Sequence, residues 1–153
     1  MKEALDNALE EMKRVDHLIF VSLKYTRTVD VFKNIISRII DGVDYAIEAM
    51  LLNLEKDGKI TEIPKQPIPR CKIVRENYGD DETIQEFMDF YLFLRKLNKA
   101  EFSREREFRR HVTMTVTIED IPLEINIDII TDYYKKSKAF ISYVNKMLSE
   151  KKE

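Results

Sequence analysis

From Lys2 to Lys56, and again from Glu82 to Asn98, the apolar residues of this chain recur every three or four positions. Between Val112 and Ile127 they recur every second. A 3.6-residue period turns one face of a helix to a core, and a two-residue period does the same for a strand. The chain must therefore carry long amphipathic helices and one short β element. Only three glycines and four prolines interrupt it, too few for the many tight turns of an all-β sandwich.

The spacing predicts a first helix over Lys2–Lys24, with Leu5, Ala8, Leu9, Met12, Val15, Ile19, Ser22 and Leu23 on one face. Leu18, Phe20 and Val21 widen that face, so its second half is expected to be the more completely buried. Thr28 or Asp30 should cap a second helix running to about Lys56, because either side-chain oxygen can accept from an unpaired first-turn N–H. Its stripe is Phe32, Ile35, Ile36, Ile39, Val43, Ala46, Ile47, Met50, Leu51 and Leu54. Gly42 lies inside it, where glycine costs about 1 kcal/mol relative to Ala. It is expected to permit a close helix contact or a bend. Asp57-Gly58 should end the helix.

Residues Lys59–Gly79 read as a long connection, extended at Pro64, Pro67 and Pro69. Asp80 or Asp81 should cap a third helix, Glu82–Asn98. Val112–Ile118 and Ile121–Ile127 read as an antiparallel hairpin turning at Glu119-Asp120, with Pro122 at an edge or a strand start. A last helix is expected over Asp128–Lys151. The predicted fold is mostly α: an antiparallel four-helix up-and-down bundle with a short β-hairpin before the last helix, in a single domain spanning 1–153.

Charged residues make up 35% of the chain, yet the net charge is only -2. Nothing global therefore draws it to nucleic acid or membrane, and any anion site must be a local patch. Cys71 is the single cysteine, so no disulfide or CxxC zinc knuckle is available within the chain and a cytoplasmic setting is expected. The first residues, MKEALDNALEEMKR, lack an apolar run and read as amphipathic helix rather than signal peptide. No apolar run is long enough for a membrane span. The absence of Trp, the two glutamines and the Lys/Glu richness resemble a thermophile's composition.

The densest chemistry lies in Phe102–His111, FSREREFRRH. From Arg95 to His111 there are seven Lys or Arg residues against three Glu. Guanidinium forks bind phosphate bidentately, so Arg104, Arg109 and Arg110 are candidate anion ligands. Lys65, Arg70 and Lys72 in the proline-bearing segment would add to them if the two stretches met. Phe102, Phe108 and Tyr78 could stack on bases or hold the loops to the bundle. Cys71, between Arg70 and Lys72, could have a lowered pKa. Asp41, Asp44 and Glu48 share a helix face and read as a solvated acidic surface, so no metal site or other cofactor is expected. His17 reads as a buried, hydrogen-bonded histidine. The third helix carries more apolar residues than one face needs. Phe87, Phe90, Tyr91, Phe93 and Leu94 are therefore expected at a homodimer or partner interface.

Arg106-x4-His111, together with Arg104-x6-His111, resembles the Arg-x(4–6)-His motif of the HEPN superfamily. Its members are small helical bundles, many of them metal-independent endoribonucleases, toxins or partners of minimal nucleotidyltransferases. The resemblance implies a HEPN-like bundle. It also implies that Arg106 holds a scissile phosphate and that His111 moves the proton of the 2′-OH or leaving oxygen. An imidazole titrates in the range that task needs. Two functions are thus expected to compete. One is a non-catalytic protein-interaction or dimerisation module. The other is an RNA-binding protein or endoribonuclease using residues 104–111.

Overall fold

A computed structural model describes residues 1–150 and shows why one helix organises the rest. That helix spans Val29–Lys56, and its stripe from Phe32 to Leu54 is 0–1% exposed. Val29, Ile40, Gly42, Ala49 and Asn53 are buried outside the stripe as well, so the helix is enclosed on more than the one face its period requires.

In chain order, α1 (Lys2–His17) continues through a π-helical turn (Leu18–Ser22) into a last short piece, Leu23–Tyr25. Then come α2 (Val29–Lys56), α3 (Pro67–Asn77), α4 (Glu82–Lys99), β1 (Phe102–Glu105), β2 (Thr113–Ile118), β3 (Ile121–Ile125) and α5 (Ile127–Glu150). The end of the last predicted helix at Lys151 lies outside the described residues. Helix α2 packs against α1, α3, α4, α5 and β2. The strands form an antiparallel sheet in the order β1-β2-β3. The mostly α expectation holds; among the described residues the helices number five and the strands three.

The hairpin pairs as its two-residue period predicts, except that Ile121 is exposed and Thr113 is buried. Met114 pairs with Ile125 and Ile118 with Ile121. Val112, Met114, Val116 and Ile125 are fully buried. Glu119 and Asp120 both take positive φ, 51° and 65°, as a two-residue turn matched to the strand twist requires. Pro122 lies on the edge strand β3, where no ladder donor is lost.

Four expectations are corrected. The stretch 59–79 is not all extended, because α3 starts at Pro67. The first four N–H groups of a helix have no intrahelical partner, so Pro67 and Pro69 in its opening turn forfeit nothing and help to start it. The arginine segment contributes a strand, β1, whose residues are all exposed; with no buried face, its sequence shows no alternation. The end of the first helix is not its best-buried part. The π-helical turn keeps Ile19 and Leu23 inward but leaves Phe20 54% exposed, its ring edge-on to Tyr134 at 6.3 Å. His17 is exposed rather than buried, because it faces away from the Val15–Ile19–Leu23 line.

The close α1–α2 crossing depends on Gly42. A Cβ there would meet Met12 Cε at 2.7 Å and Glu11 Cβ at 3.3 Å. The Met12 tip can move, but the Glu11 Cβ sits against the α1 backbone. Glu11 is buried and receives Arg14 at 2.6 Å and Arg38 at 3.3 Å, so shifting α1 would disturb an ion-paired carboxylate. Gly42→Val should therefore destabilise the fold by about 1–3 kcal/mol, the range for overpacking a core. Urea unfolding monitored by circular dichroism would read this as a lower midpoint.

Candidate functional site: the arginine loop

Strand β1 pairs with β2 as far as Glu105 opposite Thr113, leaving residues 106–112 as the connecting loop. The loop is fastened to the start of α2. The Val29 N–H donates to Glu107 Oε1 at 3.0 Å, and the Phe108 N–H donates to the Arg27 carbonyl at 2.7 Å. Thr28 Oγ1 accepts from the Val31 N–H at 3.4 Å. Two side chains thus serve the unpaired donors of α2, and the Glu107 carboxylate also lies at the positive end of the helix dipole. Arg104 bridges the same corner, 2.8 Å from Asp30 and 3.4 Å from Glu107.

These anchors sort the arginines. Arg104 is paired with two carboxylates, so its role in this structure is to hold the loop. Arg109 is exposed, and its carbonyl accepts from the Val112 N–H at 3.1 Å. Arg106, Arg110 and His111 line one cleft of about 560 Å³ together with Arg27. Thr113, Asn126 and the first residues of α5 complete it, and Glu124 and Asp128 stand on its wall. Among the described residues, no ion pair or side-chain hydrogen bond engages Arg106, Arg110 or the His111 ring. Arg27 Nε is buried without a hydrogen-bond partner. Such a donor costs about 1–3 kcal/mol until an acceptor reaches it. Three permanently charged guanidiniums against two carboxylates leave the cleft positive.

The backbone here is strained. Arg106 takes φ 55° and Phe108 φ 64°, conformations that cost a residue bearing a Cβ about 1–2 kcal/mol each. The Glu107 and Phe108 bonds to the start of α2 hold them there.

Arg27 is the residue that sequence reading missed. It precedes the helix cap with no motif around it, and only the fold brings it to a loop about eighty positions away. Lys65, Arg70 and Lys72 do not join the cleft. Arg70 acts on Asp44, whereas Arg104 pairs with Asp30. Those two acids lie roughly 21 Å apart along α2 at 1.5 Å per residue. Arg70 itself donates to the Pro64 carbonyl at 2.7 Å.

The expected interface residues divide. Tyr91 and Leu94 are buried in the core and Phe87 is nearly covered. Phe87 stacks on Phe140 at 3.9 Å, while Phe90 and Phe93 meet Tyr133 edge-on at 5.4 Å and 6.1 Å. The surplus rings of α4 thus form an aromatic layer with α5, leaving a groove of about 440 Å³ beside Phe90 and Lys136.

The acidic trio is not simply solvated. Asp44 receives the Tyr91 hydroxyl, and Arg95 lies 3.3 Å from it. Burial pushes its carboxyl up, against the opposing pull of Tyr91 and Arg95. Among the described residues no group of three His, Cys, Asp or Glu is placed to hold a metal ion. No described helix is long and apolar enough to cross a membrane.

Cys71 is buried, and burial pushes its thiol up to about 11 rather than down, outweighing the neighbouring Arg75. A folded thiol near 11 against an ordinary value of 9.0 favours the fold fully below pH 9. That contribution is lost as the pH climbs toward 11. Native Cys71 should therefore react with a disulfide reagent at pH 8 far more slowly than the urea-unfolded chain. A comparison of the two rates checks this.

No protein-family model, curated protein or solved structure matches the chain.

Proposed function

We propose that this protein binds the phosphodiester backbone of nucleic acid in the cleft formed by Arg27, Arg106, Arg110 and His111. The observation that carries the reading is the meeting of Arg27, Arg106 and Arg110 at one cleft, without ion pairs among the described residues. Bidentate guanidinium–phosphate contacts suit all three arginines. RNA is the backbone expected from the resemblance to HEPN proteins, in which Arg106 would hold the phosphate. Binding rather than cleavage is proposed because the cleft gathers phosphate donors, while no side chain among the described residues orients the His111 imidazole as the base of a catalytic pair is commonly oriented. Were cleavage to occur, it would be metal-independent and would need His111.

A second reading keeps the chain as a protein-interaction module, with self-association through the α4–α5 face. The partly exposed ring of Phe90, which lines the groove, and the partly exposed Phe93 favour it. A cytoplasmic setting fits either reading.

A labelled single-stranded RNA titrated across a salt series tests the first reading. Binding should weaken steeply with salt. Each phosphate neutralised on a single strand steepens the log–log slope by about 0.7. Arg106→Ala/Arg110→Ala should therefore weaken binding further and flatten that slope by about 1.4, two such phosphates. Lys65→Ala/Lys72→Ala, distant from the cleft, should leave it unchanged. Absence of binding at low salt would retire the reading in favour of the interaction module.

A further inference from the structure

Phe108 stands between Arg106 and Arg110 in the loop, and its N–H is bonded to Arg27; all three of those arginines line the cleft. Its side chain is 74% exposed. Among the described residues no ring or cation lies against it, whereas Phe102 on β1 has Lys33 at 5.1 Å and Arg104 at 5.4 Å from its ring centre. The backbone of Phe108 is left-handed, a region that bulky residues seldom adopt. An exposed ring adds almost nothing to the core, and the strained φ opposes the fold. Neither feature is repaid by packing, so the ring's use lies outside the chain.

We propose that Phe108 is a stacking platform for one unpaired base, and that the ligand of the cleft is therefore a single-stranded nucleic acid. The inference rests on the phosphate-binding reading of the cleft. In a duplex both faces of each internal base are covered by neighbours, and an aromatic side chain finds no free π-face. In a single strand every base offers one, while the adjacent guanidiniums hold the flanking phosphates. The platform is tolerant of sequence, because every base has a π-face. Glu107 turns inward to the α2 N-terminus, so the one carboxylate between Arg106 and Phe108 does not project toward the strand.

The chain has no tryptophan, so Phe108→Trp introduces a single indole reporter at the platform. Binding of a labelled single-stranded RNA and of a duplex of the same sequence would be compared for the wild type, Phe108→Ala, Phe108→Trp and Arg106→Ala/Arg110→Ala. Circular dichroism would verify that each variant is folded. Phe108→Ala should weaken single-strand binding about 5- to 150-fold, the range for losing one base stack, with the duplex and the salt slope unchanged. Phe108→Trp should keep its affinity, and RNA should quench its indole where inorganic polyphosphate does not. Undiminished single-strand binding by Phe108→Ala would overturn the platform, as would equal loss on strand and duplex or an unquenched indole. The phosphate-binding reading would survive each of those outcomes so long as the arginine pair mattered. Wild-type protein that binds no RNA, or an arginine variant that binds as well as wild type, would overturn both.

Discussion

Enclosure of α2 is the constraint on which the rest of the structure depends. An enclosed helix cannot leave the donors of its first turn to bulk water, and a polar residue on its flank must find a partner where it stands. At the N-terminus Thr28 and Glu107 provide acceptors. Along the flank Asp44 is met by Tyr91 and Arg95 from α4. At the crossing with α1, Gly42 removes the one Cβ that would hold the helices apart. Each solution comes from a different part of the chain, so the burial of α2 places α1, α4 and the arginine loop together.

The cleft follows from the way its loop is fastened. Once Glu107 serves Val29 and Arg104 spans Asp30 and Glu107, one charge of the loop and one of β1 are engaged on the side facing α2. The left-handed residues Arg106 and Phe108 turn the intervening chain so that Arg106 and Arg110 meet across from α5. The same corner that stabilises the longest helix of the core thus leaves a positive surface beside it. Within one short segment Arg104 is ion-paired, and its neighbours Arg106 and Arg110 are not paired among the described residues. The aromatic surplus of α4 is partly absorbed internally, since Phe87, Phe90 and Phe93 meet rings of α5.

Much of the fold was legible in local pattern. The stripe from Phe32 to Leu54, the Asp81 cap that accepts from the Ile84 N–H at 3.1 Å and the alternation of Val112 to Ile118 each reflect chemistry confined to a few neighbouring residues. Period, cap and turn chemistry suffice for such elements. The misses have equally local causes. Pro67 and Pro69 read as helix breakers, although an opening turn tolerates them. β1 buries no side chain, so only its hydrogen bonds to β2 define it. Leu18 to Val21 promised burial that the π-helical turn directs elsewhere.

Sequence alone determined the four long helices and the β2–β3 hairpin, because propensity and period act over a few residues; it did not find α3 or β1. It also singled out Phe102–His111 as the place where charge is concentrated. Only the tertiary structure decided which of those charges are free. Whether an arginine is neutralised depends on what lies within about 4 Å of it, and Asp30 and Arg27 reach that corner through folding rather than adjacency in the chain. The proline-segment cations were excluded for the same reason: a shared sign in the sequence carries no distance, and the length of α2 keeps the two basic stretches apart.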